Sequence, residues 1–444
     1  MPFLVAGLLN VAYALLLLTV SPLLVYRRLA HGKYRGGWRE KLTGKLTRKH
    51  PERRCIWFHA VSVGEVLQLQ QVLDQTSARF PDAELLVTTT TDTGFEVAQT
   101  KYPQHTVAYF PLDFSWAVSR ALSAIQPSLI VLVELELWPN FIVEAHRRHI
   151  PLALINGRIG ERSFRGYSRV KPLLRRVLSC FDLLAVQNEI YADRLRQLGA
   201  PTERVTVTGN IKFDRVEANR DNSRTMELRR AFGLASDELV FIAGSTQEPE
   251  EKFAIETWIA LRHEFPALRL ILVPRHKERF EAVAELVRQR GLPLVRRSDV
   301  AVAEQSLTPT TTNVLLLDTL GELGACWGLA DIAFVGGSLT SRGGQNMLEP
   351  AGYGAAVLFG PNTWNFQDIT DALLSRHAAC VVNDPTELTT VVRELLLDPT
   401  KAQHMGDLAR EFVGQQRGAT ARTVEQLARC VLDTANDAAT AHAA

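Results

Sequence analysis

Glu65 stands where an apolar segment of the chain gives way to an amphipathic one. The run at 55–58 predicts a buried strand, and Ser62 and Gly64 suit a tight turn that leaves Glu65 at the start of a helix. In a parallel sheet such a turn lies at the carboxyl end of the strands, where ligands bind. Glu65 is therefore a candidate general base for a substrate hydroxyl. The alternative is a first-turn glutamate that only complements the dipole of its helix.

Glu134 and Glu136 alternate directly after another apolar run, at 129–133. Two carboxylates at the end of a buried strand are costly to desolvate unless they serve a site or find partners. We interpret both as functional. Asn140 is expected to cap the helix that follows, and Pro139 suits the first turn of that helix.

Basic side chains follow two further apolar runs. Residues 156–169 contain four arginines and several hydroxyl groups on a glycine-rich loop, which suits an anionic ligand; the alternative is a solvated basic loop. Lys212, in the segment 209–214, is expected to reach into a cleft between two domains, although an isolated lysine is usually a surface residue.

The second half of the chain places small, basic and acidic residues after successive apolar runs. Ala243 to Thr246 are expected to end one strand and open a helix, where free backbone amides suit a phosphate. Pro274 fixes the chain after the next strand, and Arg275 could meet a base carbonyl or a phosphate. Glu349 could accept hydrogen bonds from ribose hydroxyls. Together they indicate a nucleotide pocket, and the lack of GxGxxG after the first strand of either half disfavours NAD.

Short apolar runs, separated by amphipathic helical patterns, must position all of these residues. Most runs are continuous, as in parallel strands buried on both faces. Seven precede the polar segment 214–238 and six follow it, which predicts an α/β protein with two Rossmann-like domains facing a cleft. The runs are 55–58, 85–88, 107–110, 129–133, 152–155, 183–186, 205–208, 240–243, 268–273, 314–317, 332–335, 356–359 and 380–382. The predicted divisions are an anchor at 1–26, a basic segment at 27–54, a first domain at 55–214, a linker at 215–238, a second domain at 239–415 and a C-terminal helix or tail at 416–444.

The N-terminus predicts a membrane anchor. Phe3 to Tyr26 are apolar or neutral, and about 24 helical residues cover the ~30 Å hydrocarbon core. Residues 27–54 contain eleven Lys or Arg and two Glu. Because these charges follow the apolar run, the N-terminus is expected to face out and both domains to lie on the cytoplasmic face of the membrane. Asn10 and Pro22 weaken a clean span, so insertion along the membrane surface, a docking helix or a cleaved signal stay open.

Composition excludes several classes of protein. The net charge of +2 conceals a net acidic body outside the basic segment, so no nucleic-acid partner is expected. Five scattered cysteines and the lack of an HExxH motif argue against a disulfide framework and a zinc site, so no metal is expected.

Taken together, these motifs resemble the Kdo (3-deoxy-D-manno-octulosonic acid) transferase family, in order from the N-terminal anchor to about residue 370. The matching motifs are HAVSVGE (59–65), ELELWPN (134–140), NGRIGERSFRGYSR (156–169), GNIKFD (209–214), AGST (243–246), VPRH (273–276), DTLGEL (318–323), and FVGGSL followed by GGQNMLEPA.

The resemblance implies a GT-B glycosyltransferase that moves Kdo from CMP-Kdo to a lipid A precursor (lipid IVA) with inversion, without a metal or other cofactor. It implies an enzyme of lipopolysaccharide biosynthesis at the inner membrane of a Gram-negative bacterium. Glu65 would be the general base, and Glu136, with Glu134 near it, and Lys212 would stabilise the transition state. The CMP site would comprise Pro274, Arg275, Leu320, Gly321, Glu322, Asn346, Met347, Leu348 and Glu349.

This sequence departs from the family pattern in two places. Gln247 and Pro249 follow the AGST motif where His and Gly are usual, and Gln345 replaces the His of GGHN. These changes put fine donor or acceptor contacts in doubt. Two other hypotheses stay open: a GT-B enzyme with another nucleotide sugar, and a non-catalytic, membrane-tethered protein that binds a nucleotide or anionic lipid.

Overall fold

A computed structural model of the chain describes residues 3–31, 36–300 and 312–443. Lys33 and Arg35 of the predicted basic segment lie outside the described residues. The chain forms two compact units. The first comprises residues 1–215 and 417–444, and the second comprises residues 216–416.

The first unit contains a parallel sheet of seven strands in the order β3-β2-β1-β4-β5-β6-β7. Each strand comes from one of the predicted apolar runs. The strands are β1 (Arg54–His59), β2 (Ala83–Thr89), β3 (Thr106–Tyr109), β4 (Leu129–Val133), β5 (Leu152–Gly157), β6 (Leu183–Val186) and β7 (Val205–Val207).

Both faces of this sheet are covered, which explains why its strands are continuous apolar runs. In β1, Cys55 and Trp57 belong to one hydrophobic cluster, whereas Ile56 and Phe58 belong to another. All four side chains are buried. A doubly wound sheet of this kind leaves the carboxyl ends of its strands as the place for a site.

The second unit contains a parallel sheet of seven strands in the order β10-β11-β9-β8-β12-β13-β14. The strands are β8 (Leu239–Thr246), β9 (Leu268–Pro274), β10 (Leu294–Arg296), β11 (Val314–Leu316), β12 (Ile332–Val335), β13 (Ala356–Phe359) and β14 (Ala379–Val381). Strand β10 was not predicted, because three half-buried residues that end in an arginine give no apolar run. The predicted α/β fold with two parallel sheets is confirmed.

Helices connect the strands of both units. The first unit begins with α1 (Phe3–His31), α2 (Trp38–Thr43), α3 (Val63–Gln68), α4 (Gln70–Arg79), α5 (Asp92–Lys101), α6 (Ser115–Ile125), α7 (Pro139–Arg147), α8 (Glu161–Ser168), α9 (Lys171–Leu178) and α10 (Glu189–Gln197). The second contains α11 (Ser223–Ala231), α12 (Glu250–Leu261), α13 (Phe280–Arg288), α14 (Arg297–Val300), α15 (Leu323–Cys326), α16 (Leu348–Gly352), α17 (Gln367–Leu374), α18 (Pro385–Leu397) and α19 (Pro399–Gln415). The last helix is α20 (Ala419–Ala443).

Helix α20 returns to the first unit at the end of the chain. Its residues Ala419, Val424, Leu427 and Val431 are buried in the cluster that also contains Ile56 of β1. The C-terminal segment is therefore part of the core of the first unit.

Helix α1 is apolar over most of its length. Residues 6–30 are long and hydrophobic enough to cross a membrane by length and composition, which is weak support for a span because signal sequences have the same properties.

Candidate active site

The predicted carboxylates of the first unit lie at the point where the winding of its sheet reverses. Strands β1 and β4 are neighbours, with β2 on the far side of β1 and β5 on the far side of β4. Glu65 follows β1, and Glu134 follows β4 directly. Because a parallel doubly wound sheet opens a crevice at this position, both residues lie where such folds bind ligands.

Glu65 lies in the first turn of α3, and its carboxylate closes the turn that begins the helix. One carboxylate oxygen accepts the Val61 N–H at 2.8 Å, and the other accepts the Ser62 hydroxyl at 2.7 Å. The Ser62 hydroxyl in turn accepts the Glu65 N–H at 3.4 Å, which makes Ser62 the N-cap of α3. This arrangement is close to a capping box, which was not predicted from the sequence. Glu65 also lies in the first turn of α3, as the alternative for this residue predicted.

Glu65, Glu134 and Glu136 form a group of carboxylates that influence one another electrostatically, and we call it the glutamate cluster. Burial raises the pKa of Glu136 to about 7, and the charges of Glu65 and Glu134 add to the effect. Burial also raises the pKa of Glu65, with a further contribution from Glu134 and with opposition from its hydrogen bonds to Ser62 and Val61. Glu65 and Glu136 therefore have pKa values closer to neutral pH than that of free glutamate, as a proton acceptor requires.

Lys212 belongs to the same group, because its Nζ lies 4.0 Å from Glu134 Oε1. Both side chains are about 30% exposed, so a ligand can reach them. The backbone at Glu134 is left-handed, with φ +58°, a conformation that is uncommon for residues other than glycine and that concentrates at functional sites.

A chain of buried amides fixes the segment that contains Lys212. Asn156, at the end of β5, is fully buried, and its side chain receives a hydrogen bond from the Ile211 N–H at 3.3 Å. Gln187 links the Asn156 carbonyl to the Asn210 side chain, with distances of 3.0 and 3.1 Å. Asn210 Oδ1 accepts the Lys212 N–H at 3.0 Å. The backbone of Lys212 is thus tied to strands β5 and β6.

The arginine-rich segment 156–169 is not a loop over most of its length. Residues 161–168 form α8, none of whose residues is buried. Arg165 pairs with Glu161 at 3.0 Å on the exposed surface, and Tyr167 has a pKa raised first by burial and then by the charge of Glu136. One end of this basic helix therefore lies beside the glutamate cluster.

The expectation that Asn140 caps α7 is wrong. Asn140 lies inside the first turn of α7, and the N-cap residue Trp138 offers no side-chain hydrogen bond. Asp113, from the segment before α6, accepts the N–H groups of Asn140 and Phe141 at 3.0 and 2.8 Å. Sequence reasoning missed Asp113, because nothing near it in the chain links it to a helix that begins 26 residues later.

The segments predicted to hold CMP follow β9, β11 and β12 in the second unit, at the carboxyl ends of these strands. Arg275 Nε donates to Gln345 Oε1 at 3.1 Å, which joins the segment after β9 to the glycine-rich segment before α16. The side chain of Glu349, in α16, lies beside Gly324 of α15, so α16 is close to the helix that follows the segment after β11. The binding roles of these residues stay predictions.

Within this group, side chains differ in what they can offer a ligand. Met347 and Leu348 are buried in the core, so only their backbone atoms could contact one, whereas Leu320 is 71% exposed. Asn346 Nδ2 donates to Glu349 at 3.0 Å, and Glu322 pairs with Arg297 at 3.0 Å. The remaining two residues, Pro274 at the end of β9 and Gly321 with φ +86°, shape the backbone.

The AGST segment does not open a helix, contrary to expectation. Strand β8 continues to Thr246, and α12 begins only at Glu250, after three intervening residues. Glu250 is fully buried and accepts the N–H groups of Gln247, Gly337, Ser338 and Leu339 at 2.7–3.0 Å. Four backbone amides at this end of the sheet are therefore occupied by the protein's own carboxylate, which no sequence pattern indicated.

Among the residues that the structure describes, no group of three His, Cys, Asp or Glu side chains is arranged to hold a metal ion.

Residues 36–215 match a protein family described as 3-deoxy-D-manno-octulosonic-acid transferase (Kdo transferase). The 3-deoxy-D-manno-octulosonic acid transferase of Haemophilus influenzae is 34% identical over 379 residues, which cover 85% of this chain and 87% of that protein. The transferase of the same name from Bordetella pertussis is 32% identical over 381 residues, covering 84% and 86%. Among solved structures, the UDP-GlcNAc 2-epimerase of Neisseria meningitidis shares the fold, with a TM-score of 0.57, 12% identity and coverage of 84% of this chain and 100% of that one.

The two parallel sheets and these relatives define a glycosyltransferase of the GT-B fold. The chain belongs to the family of 3-deoxy-D-manno-octulosonic acid (Kdo) transferases.

Proposed function

We propose that this protein transfers Kdo from CMP-Kdo to lipid IVA, a precursor of lipid A, in lipopolysaccharide biosynthesis, and that the anomeric centre is inverted. One observation supports the proposal above all: Glu65, Glu134, Glu136 and Lys212 are grouped at the reversal point of the first sheet. The identity of the transferred sugar is inferred from membership of the Kdo transferase family. The type of reaction is inferred from the carboxylates and the lysine of this group.

The reaction needs a base for an acceptor hydroxyl. In the proposed step, Glu65 accepts the proton of an acceptor hydroxyl, the oxygen forms a bond to the anomeric carbon of Kdo, and the bond from that carbon to the CMP phosphate breaks. The electron pair of the broken bond leaves with CMP. A carboxylate whose pKa is raised by burial is a stronger base than free glutamate, and this favours Glu65 for the role.

Charge stabilisation is assigned to the neighbouring residues. Glu134 and Glu136 stabilise the positive charge that develops on the sugar ring as CMP departs. Lys212 provides a positive charge that stabilises anionic groups of the substrates. Arg275, with Glu322 and the segment Asn346–Glu349, is proposed to bind the CMP part of the donor. With these cations we propose a reaction that needs no metal and no other cofactor.

The proposed setting is the inner membrane of a Gram-negative bacterium, with both units on the cytoplasmic face. A lipid acceptor must reach the glutamate cluster from a membrane, and the apolar helix α1 supplies the means of attachment. We propose no nucleic-acid partner.

A transfer assay with defined substrates tests the substrate assignment. Full-length protein is incubated with radiolabelled CMP-Kdo and lipid IVA, and labelled lipid is separated by chromatography, with and without EDTA. We expect labelled lipid only when both substrates are present, with no loss in EDTA. Thermal stabilisation by UDP but not by CMP, without transfer from CMP-Kdo, would instead indicate another nucleotide sugar, and CMP binding without turnover would indicate a binding protein.

A further inference from the structure

Helix α1 contains two polar residues whose side chains are hydrogen-bonded to the globular part of the first unit. Asn10 Nδ2 donates to Ser115 Oγ at 2.8 Å, and Asn10 Oδ1 accepts the Ser115 N–H at 3.0 Å. The Tyr13 hydroxyl donates to Asp113 Oδ2 at 3.0 Å, and its ring packs edge-on against Phe114. We call these contacts the α1 clamp.

The clamp lies on one continuous face of the helix. The half-buried residues of α1 recur at helical spacing, at Ala6, Leu9, Asn10, Tyr13, Ala14, Leu17, Val20 and Ser21. The opposite face is exposed and rich in leucine and valine: Leu8, Val11, Leu15, Leu16, Leu18 and Leu23 are each at least 49% exposed. This pattern is that of a helix with one face against protein and the other face available to lipid.

The geometry is incompatible with a span. Asn10 lies 17 residues before Arg27, about 25 Å along the helix axis. If Arg27 stood at one headgroup layer of a ~30 Å hydrocarbon core, Asn10 would lie close to the other. Asp113 and Ser115, which are hydrogen-bonded to α1, would then have to lie at that far side of the membrane too. The helices around them belong to a globular unit with charged surfaces, which cannot enter the hydrocarbon core. Clamp and span therefore exclude each other.

We propose that α1 is held along the first unit by Asn10 and Tyr13 and enters the lipid surface only with its exposed leucine-rich face, so that it lies at the membrane instead of crossing it. The occupant of that face is the headgroup and acyl-chain boundary of an anionic bilayer. Arg27 and Arg28 at the end of α1, together with Arg39 and Lys45, supply charges complementary to anionic lipid. Trp116 is 51% exposed and lines a groove of about 450 Å³ beside Asn10, and such rings favour the membrane interface.

The arrangement places the glutamate cluster near the proposed lipid surface. Asp113 accepts a hydrogen bond from the Tyr13 hydroxyl and also caps α7. In addition, Asn140 Nδ2 of α7 donates to Asn10 Oδ1 at 3.4 Å. Helix α7 begins directly after the segment that contains Glu134 and Glu136. A lipid acceptor would then reach this segment from the bilayer without crossing bulk water. The inference rests on the proposed membrane attachment, but not on the identity of either substrate.

A topology experiment tests the inference independently of catalysis. The full-length chain receives one epitope at each end, and inverted inner-membrane vesicles are treated with protease. We expect both epitopes to be removed without detergent, because both ends lie on the cytoplasmic face. Protection of the N-terminal epitope until detergent is added would show a span and would overturn the proposal, whether or not the protein transfers Kdo.

Photo-crosslinking tests the clamp itself. p-Benzoylphenylalanine is placed at position 13 of the full chain and, as the matched control, at position 11, where Val11 is 58% exposed on the opposite face. In membranes, we expect position 13 to crosslink to the peptide that contains Phe114, and position 11 to crosslink to lipid. Equal labelling of lipid from both positions would overturn the clamp.

Discussion

Replacing Glu136 with glutamine should stabilise the first unit, and the gain should depend on pH. The pKa of Glu136 is raised from 4.5 to about 7, because burial and the charges of Glu65 and Glu134 disfavour its ionised form. A raised carboxyl pKa means that the folded state binds the proton more tightly than the unfolded chain. Ionisation therefore costs folding free energy as pH rises from about 4.5 to about 7, and the full cost persists above pH 7.

The size of the effect follows from the same pKa. At 1.36 kcal/mol per pKa unit, a rise from 4.5 to about 7 corresponds to roughly 3 kcal/mol. The Glu136 side chain keeps some contact with solvent, and screening reduces this value to about 1–2 kcal/mol. For a unit of this size, that corresponds to an increase in Tm of about 3–6 °C in Glu136→Gln at pH 8.

Calorimetry of the full chain in detergent at pH 5 and pH 8 measures the effect. Glu203→Gln is the matched control, because Glu203 is an exposed glutamate of the same unit and its replacement should leave Tm unchanged at both pH values. An equal gain for Glu136→Gln at both pH values, or a loss at pH 8, would refute the electrostatic account of the glutamate cluster.

Two other substitutions separate function from stability. Lys212→Met should lower the rate of Kdo transfer strongly and the free energy of unfolding by at most about 1 kcal/mol, because the pair with Glu134 is long and partly exposed; full activity in the transfer assay would contradict its role. Glu250→Gln should destabilise the second unit by about 3 kcal/mol in chemical unfolding, because one amide oxygen cannot accept the four backbone N–H groups that the carboxylate accepts. Glu256→Gln, an exposed position of the same helix, is its control, and an equally small effect of both would contradict the account.

Much of the fold was predictable because each strand of a doubly wound sheet is buried on both faces. Such strands are continuous apolar runs, and the polar residues that follow them must lie at one edge of the sheet. This reasoning located Glu65 after β1 and Glu134 after β4. Strand β10 could not be predicted in this way, because a short, half-buried edge strand has no continuous apolar run.

The contacts that could not be predicted are long-range polar ones. Asp113 caps α7 and accepts a hydrogen bond from the Tyr13 hydroxyl. Glu250 accepts hydrogen bonds from backbone amides almost 90 residues away. No local sequence pattern therefore marks either residue. The same limitation explains the wrong expectation for Asn140, since a favourable residue type near a helix start does not show which side chain supplies the cap. Asn10 likewise has partners more than 100 residues away, so the sequence shows only a polar residue in an apolar helix.

The central question is whether Glu65 acts as a base or only closes the first turn of α3, and two variants separate these roles. Glu65→Gln keeps an oxygen to accept the Val61 N–H and an amide to meet the Ser62 hydroxyl, but it cannot accept a proton. Ser62→Ala removes the N-cap and leaves the carboxylate.

The decisive measurement is the steady-state rate of Kdo transfer by these two variants, alongside their Tm. We predict that Glu65→Gln lowers kcat by about 10²–10⁴ with little change in Tm, as expected for loss of a general base. Ser62→Ala should keep most of the turnover and lose about 1 kcal/mol of stability. Transfer by Glu65→Gln at nearly the wild-type rate would contradict the proposed mechanism.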